Sequence, residues 1–193
     1  MGHGGLVDNE ELRTARLSLR RPTPADIDAI YRIHSDPRAY TYNPADALAN
    51  RAEAEELYQR WNEHWNQHDF GYWTVHRHVQ TSQPLGFCGL KLMTLHGRTV
   101  VNLFYRLDPS AWGNGVATDA ATAVVNWATA QLPDQPIIAR VRPGNTASLK
   151  VAARAGLSRA PHLDTAGEDG PDWIFTSNWP DAETRTSSRG RGR

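Results

Sequence analysis

The sequence predicts a mixed α+β domain, with an antiparallel meander of strands joined to one βαβ crossover. About six to seven strands and four helices are expected in one twisted mixed sheet. Three observations carry this. Short alternating or apolar runs lie between turn-forming residues, as half-buried and buried strands require. Four other segments repeat their apolar residues every three to four positions, the spacing of a helix face. The order is strand, two helices, three strands, then helix, strand, helix, strand, which places a hairpin-connected block before a single crossover.

Arg16-Leu17-Ser18-Leu19-Arg20 alternates like a half-buried strand. Thr23-Pro24-Ala25-Asp26 opens a helix with a hydroxyl cap, a proline at the first helical position and an acid in the first turn. Ile27, Ile30, Tyr31 and His34 share one face of it. A second helix starts near Asn50, with Ala54, Leu57, Tyr58, Trp61 and Trp65 at helical spacing. That aromatic stripe reads as core rather than as a cofactor box. Strand-like runs follow at 71–76, 86–93 and 99–107. A helix from Val116 to about Leu132 buries Ala120, Val124, Trp127 and Ala128, and 137–141 is a short apolar strand. Asn145 caps a helix through Ala155, closed by Gly156 in the left-handed conformation. The last strand covers about 172–178. Residues 1–11 read as a loose leader, 12–183 as a single domain, and 184–193 as a disordered tail rich in Ser, Gly and Arg. An RNA or ribosome contact is the functional reading of that tail, and a solvated end is the plain one.

A chain of 193 residues with 39 % hydrophobic content and seven Trp can bury a real core. Basic and acidic residues both number 21, so no overall basic field for nucleic acid exists. Four of the arginines fall after residue 184, which leaves the body with 17 basic against 21 acidic residues. Mild acidity suits a cationic or amine substrate. Cys88 is the single cysteine, so neither a disulfide framework nor a cysteine-based zinc site is available, and no metal site is expected. No apolar run approaches 18 residues and the start lacks a signal peptide's apolar segment, so the protein reads as soluble and cytoplasmic.

The most informative stretch is Trp112-Gly113-Asn114-Gly115-Val116-Ala117-Thr118-Asp119, between a strand and the long helix. Two glycines at a helix entrance let backbone amides turn toward one point without Cβ interference. Unpaired N–H groups and the positive end of the helix dipole make that point an anion site, and a diphosphate is the anion such loops most often hold. A Walker loop is excluded because no Lys follows either glycine. A dinucleotide fingerprint is excluded because Thr118 holds the third glycine position and about a hundred residues precede the loop. A glycine turn that merely caps the helix stays open on the loop alone.

Tyr105-Arg106-Leu107-Asp108-Pro109 followed by Trp112 to Ala120 resembles the acyl-CoA motif of the GCN5-related N-acetyltransferases (GNAT), specifically the RimJ/RimL-like branch of ribosomal-protein N-terminal acetyltransferases. Three further segments match in order. Arg16-Leu17-Ser18-Leu19-Arg20 with Asp26 resembles the branch's opening, and Leu85-Gly86-Phe87-Cys88-Gly89-Leu90 resembles its "IGxxGL" strand. Pro143-Gly144-Asn145-Thr146-Ala147-Ser148 with Arg154-Ala155-Gly156-Leu157 resembles its "PxNxxS…KxGF" segment. The resemblance covers roughly residues 14–178 and implies a sheet that splays open between its fourth and fifth strands. It implies acetyl-CoA as acyl donor, with the backbone of Leu103, Phe104, Tyr105 and Arg106 along the pantetheine arm. The amides of Trp112, Gly113, Asn114, Gly115, Val116, Ala117 and Thr118 would then hold the pyrophosphate. Trp112 stands where many relatives place Arg or Gln, a mild departure that this branch shares. A homodimer is common in the resembled family, and membrane contact is not implied.

The reaction implied is direct attack of a primary amine, on a protein N-terminus or a small molecule, on the thioester. Asn145 and Ser148 are the candidates for positioning the cofactor and for supplying a hydrogen bond or proton to the leaving sulfur. Their plain readings are a helix cap and a first-turn serine. Asn102 stands where many relatives carry a glutamate, and an amide cannot accept a proton at neutral pH. A water relay ending on His76 or Asp69, delivery of a neutral amine, or impaired catalysis are the three consequences. An α-amine, with reference pKa of about 7.7–8.0, has an appreciable neutral fraction. Tyr40, Tyr42 and Trp73 with Asn102 would line the acceptor pocket by analogy, offering aromatic faces to a cation or simply filling space. From a different class, the missing glutamate would also fit a catalytically silent acyl-CoA-binding sensor or scaffold. An RNA-binding role for the tail would show as steeply salt-dependent affinity.

Overall fold

Strands β1 (Glu11–Arg13), β2 (Leu17–Arg20), β3 (Tyr72–Arg77), β4 (Gly86–Leu95) and β5 (Arg98–Leu107) form an antiparallel meander in chain order. The computed structural model describes residues 10–78 and 83–180. β6 (Ile137–Val141) joins β5 in parallel, and β9 (Gly170–Ser177) follows antiparallel to β6. Two short strands, β7 (Ser158–Arg159) and β8 (Thr165–Gly167), both pair with β9. Helices α1 (Ile27–His34), α2 (Arg51–His68), α3 (Val116–Gln131) and α4 (Thr146–Arg154) complete the α+β architecture, with α3 as the β5–β6 crossover. Nine strands thus replace the six or seven expected. The three additional ones, β1, β7 and β8, have three, two and three residues, too few for alternation to register. Because β1 begins at Glu11, the sheet starts one residue inside the expected leader, and the tail at 184–193 lies outside the described residues.

Period-two alternation divides the sheet into two faces. Trp73, Val75, Cys88, Leu90, Val101 and Leu103 pack with Ala120, Val124 and Trp127 of α3 in one cluster. Trp73 stacks edge-on against Trp65 and Trp127 there, with ring centroids 5.1 and 5.4 Å away. On the opposite face Phe87 lies among Ile30, Ile33, Tyr58 and Trp61 of α1 and α2, with Tyr72 and Phe104 packed against them. Each large apolar side chain fully removed from water contributes roughly 1.5–3 kcal/mol. Gly89 stands where a Cβ would lie 2.2 Å from the Gly71 carbonyl oxygen, which explains a glycine in a central strand.

The helix starts follow local chemistry. The Pro24–Asp26 segment is a 3-10 turn leading into α1, and Asp26 rather than Thr23 is the hub of the cap. Its carboxylate accepts from Thr23 N at 2.7 Å and from both terminal nitrogens of Arg20 at 2.8 Å. Burial alone would raise the Asp26 carboxyl, yet the Arg20 fork and Thr23 hold it below the usual carboxylate range. Asn50 caps α2 by accepting from Glu53 N, and Asp69 closes that helix in the left-handed conformation. Among the described residues no helix is long and apolar enough to cross a membrane.

The feature that positions the site is the parting of β5 and β6. They pair only at Val101↔Ile137, Asn102↔Ile138 and Leu103↔Ala139. β5 runs on to Leu107, while Arg140 and Val141 of β6 pair with β9 on its other side. The backbone of Phe104 to Leu107 therefore borders an open gap, the splay expected between the fourth and fifth strands read from the sequence.

Candidate active site

The glycine loop is shaped from both ends. After β5, Asp108 accepts from the backbone and hydroxyl of Ser110, fixing the turn that carries Trp112. The Trp112 indole donates to the Leu107 carbonyl at 3.2 Å, although the residue is half exposed. Gly113 and Gly115 adopt φ of 76° and 72°, the left-handed region where a side chain would strain the backbone. The first i→i−4 bond of α3 runs from Asp119 N to Gly115 O, so the amides of Val116, Ala117 and Thr118 precede it and remain for a ligand. Arg16 sets their direction. Its guanidinium donates to the carbonyls of Asn114 at 3.0 Å and Gly115 at 3.5 Å and pairs with Asp119 at 3.2 Å. In a trans peptide N–H and C=O point oppositely, so holding these carbonyls on Arg16 turns the Gly115 and Val116 amides the other way. This gives the first arginine of the opening motif a role that its sequence position did not show.

Those amides border a groove of about 660 Å³. Leu103, Phe104, Tyr105, Arg106, Trp112, Gly113, Gly115, Val116, Ala117, Thr118, Asn145 and Ser148 all line it. Asn114 does not; its side-chain amide donates to the Trp112 carbonyl and braces the loop. Asn145 caps α4 by accepting from Ser148 N at 3.0 Å. The Tyr105 hydroxyl donates to the Ser148 carbonyl at 3.3 Å, and burial pushes that phenol up to about 12. Gap, loop and first turn of α4 thus enclose one elongated groove that ends at the unpaired amides of the α3 N-terminus.

A second cavity of about 550 Å³ opens on the face of the sheet toward α1 and α2, and Asn102, Phe104 and Arg106 line both. Asn102 is the candidate acceptor residue that lines it, and its buried Oδ1 has no hydrogen-bond partner among the described residues. The Arg106 side chain, nearly buried, binds Asp46 Oδ2 at 2.9 Å and lies over the Phe104 ring. Burial lowers the Arg106 pKa and the Asp46 carboxylate opposes this. His34 borders the same cavity. Its Nδ1 lies 2.9 Å from the Ile30 carbonyl, which assigns the proton to Nδ1. Burial first, then the Arg106 charge, lower its pKa to about 3, so the ring is neutral.

Three of the expected acceptor residues are elsewhere. Trp73 is fully buried on the α3 face, because strand alternation gives the cavity face to Tyr72 instead. Tyr42 borders the first groove, where its carbonyl accepts from Arg142, and Tyr40 lines neither cavity. The suggested relays are also absent from both cavities: His76 pairs with Ser18 across β2–β3, and Asp69 terminates α2. Conversely His34, Asp46 and Tyr72 carried no functional signal in the sequence. His34 and Tyr72 read there as ordinary helix and strand residues, and the Arg106–Asp46 pair spans 60 positions.

Comparison with known proteins agrees with this geometry. The family model described as an acetyltransferase (GNAT) domain matches residues 16–158. The chain is similar to an uncharacterized N-acetyltransferase, p20, of Bacillus licheniformis, at 27 % identity over 143 residues, covering 74 % of this chain and 79 % of that protein. The acetyltransferase from Agrobacterium tumefaciens str. C58 shares the fold at a TM-score of 0.73 and 24 % identity, covering 88 % and 94 % of the two chains. The RimL ribosomal L7/L12 α-N-protein acetyltransferase in complex with coenzyme A does so at 0.67 and 16 %, covering 87 % and 97 %. The acetyltransferase domain model covers most of the chain, and the chain therefore belongs to the GNAT family of acetyltransferases.

Proposed function

We propose that this enzyme moves an acetyl group from acetyl-CoA, lying in the β5–β6 gap, to an amine in the second cavity through the wall at Asn102. The observation that carries this reading is that the two cavities share Asn102, Phe104 and Arg106 at the point where β5 leaves β6. In this reading the amides of Gly113 and residues 115–118 hold the pyrophosphate, favoured by the α3 dipole. The free edge of β5 beyond Leu103 pairs with the pantetheine amides as an added strand would.

The amine nitrogen forms a bond to the thioester carbon, the carbon–sulfur bond breaks, the electron pair leaves on sulfur, and the proton that the nitrogen sheds passes to that thiolate to give the free thiol. Ser148 donates a hydrogen bond to that thiolate, with Asn145 holding the first turn of α4 in place. Tyr105, protonated at any physiological pH, fixes Ser148 through its carbonyl. Asn102 Oδ1 can accept an N–H of the amine but cannot take its proton. Among the described residues Asp46 is the one carboxylate lining the second cavity and is engaged by Arg106, so the amine attacks in its neutral form. The RimJ/RimL-like assignment rests on the order of the Arg16–Arg20, Trp112–Ala120 and Asn145–Ser148 segments, together with the fold shared with RimL.

A panel of amines incubated with acetyl-CoA, read by release of free thiol and by the mass of the product, tests the proposal. Acceptor-dependent release with a 42 Da gain on the amine, the mass of an acetyl group replacing hydrogen, is expected on the order of typical enzyme turnover. Tight CoA binding with no acceptor above background hydrolysis would contradict it and favour the silent module.

A further inference from the structure

The acceptor cavity is cationic, although the chain as a whole is neutral. Among the described residues, Arg60, Lys91, Arg106 and Arg140 line it against Asp46 alone. Two of these cations are matched: Arg106 by Asp46 at 2.9 Å, and Arg140 by Asp172 at 2.6 Å. Arg60 on α2 and Lys91 on β4 form no ion pair among the described residues. The mild acidity of the body therefore does not extend to this cavity.

The positions of these charges matter more than their number. Lys91 is the register partner of Asn102 in the β4–β5 ladder. Opposed residues of an antiparallel pair point to the same face with Cβ atoms about 4.5–5.5 Å apart. A four-carbon stem then brings the Lys91 ammonium to groups a few bonds from any atom seated at Asn102. His64, next to Lys91 along this wall, cannot balance the charge. Its Nε2 accepts from Leu92 N at 3.2 Å and its Nδ1 lies 2.8 Å from the Phe70 carbonyl, so the ring is locked as the neutral tautomer. A polyamine's second ammonium would meet two exposed cations that have no ion-pair partner among the described residues, and would find Asp46 already taken by Arg106. A carboxylate would meet Lys91 and Arg60, while the amine it accompanies reaches the unpartnered Oδ1 of Asn102.

Resting on the transfer reading above, we propose that the acceptor is a small amine bearing a carboxylate within a few bonds of its nitrogen, the pattern of a free α-amino acid. Asn102 receives the amine, and Lys91, with Arg60, receives the carboxylate. The same positive field favours the neutral form of the bound amine. It supplies part of what a carboxylate base at position 102 would have done.

The test offers α-amino acids as matched pairs, each with its free carboxylate and as its carboxamide, beside spermidine, to the full chain with saturating acetyl-CoA. Thiol release gives kcat/KM, and calorimetric titration of the same pairs into the CoA-bound protein gives affinity without turnover. Free acids are expected to exceed their carboxamides by about tenfold in both readouts, with spermidine weakest. Lys91→Met is expected to bring the ratio toward one by raising KM for the acids. Carboxamides or spermidine performing as well as the acids, or a ratio unchanged in Lys91→Met, would overturn the assignment. Tighter binding of the acids without any thiol release would uphold it and overturn the transfer reading instead.

Discussion

Ser148 occupies a position that two separate constraints converge on. Its amide is held by the Asn145 side chain and its carbonyl by the Tyr105 hydroxyl, so the first turn of α4 is fixed against β5. Such fixation suits a group that must meet a sulfur at one point. Ser148→Ala should lower kcat by roughly tenfold or more, with CoA affinity within about twofold, measured by thiol release and calorimetry. An unchanged kcat would remove Ser148 from the mechanism. His34 makes a second residue-scale prediction. Its folded pKa of about 3 lies below the unfolded value near 6.5, so the unfolded chain binds the extra proton between those pH values. Stability is fully present above pH 6.5 and falls as pH drops toward 3, by at most about 4–5 kcal/mol from this group. Denaturant titrations of His34→Leu should show a flatter slope over that window than the parent, and equal slopes would contradict the assignment. The sequence shows His34 only as an apolar-face residue, because its environment is built by Phe87, Phe104 and Arg106 from other elements.

At the scale of elements, the glycine loop and α3 were legible because their chemistry is local. Two glycines, a helix start and an acid in its first turn lie within seven residues of Gly113. The tether from Arg16 is 98 positions away and has no local signature. Arg16→Ala should free the Asn114 and Gly115 carbonyls and weaken CoA binding by about tenfold without unfolding the protein. Arg13→Ala, whose exposed side chain pairs with Glu11, should leave affinity unchanged. Equal affinity of the two variants would show that the loop needs no tether. The strands show the opposite limit. Tyr72 and Trp73 are both aromatic members of β3, and a shift of one residue exchanges cavity for core. Composition marks both as strand residues but does not fix the phase, which comes from Trp65 and Trp127 packing on Trp73.

For the whole molecule, one topological event creates the function. β5 and β6 share three paired positions and then part. Under the proposed reading the gap takes the cofactor on one side, and the second cavity, which meets it at Asn102, takes the amine. The order of strands and helices was readable from periodicity, and ordered motifs implied the splay. The charge of the acceptor cavity was not, because Arg60, Lys91, Arg106 and Arg140 come from three strands and a helix and meet only in the fold. Net composition averages over such local fields.

A crystal structure with bound acetyl-CoA would show whether the loop and the free edge of β5 hold the cofactor. The pyrophosphate is expected within hydrogen-bonding distance of the amides of Gly113 and residues 115–118, the pantetheine arm along β5 beyond Leu103, and the thioester carbon facing Asn102 at the wall between the cavities. A pyrophosphate held away from that loop, or a thioester directed away from Asn102, would contradict this placement.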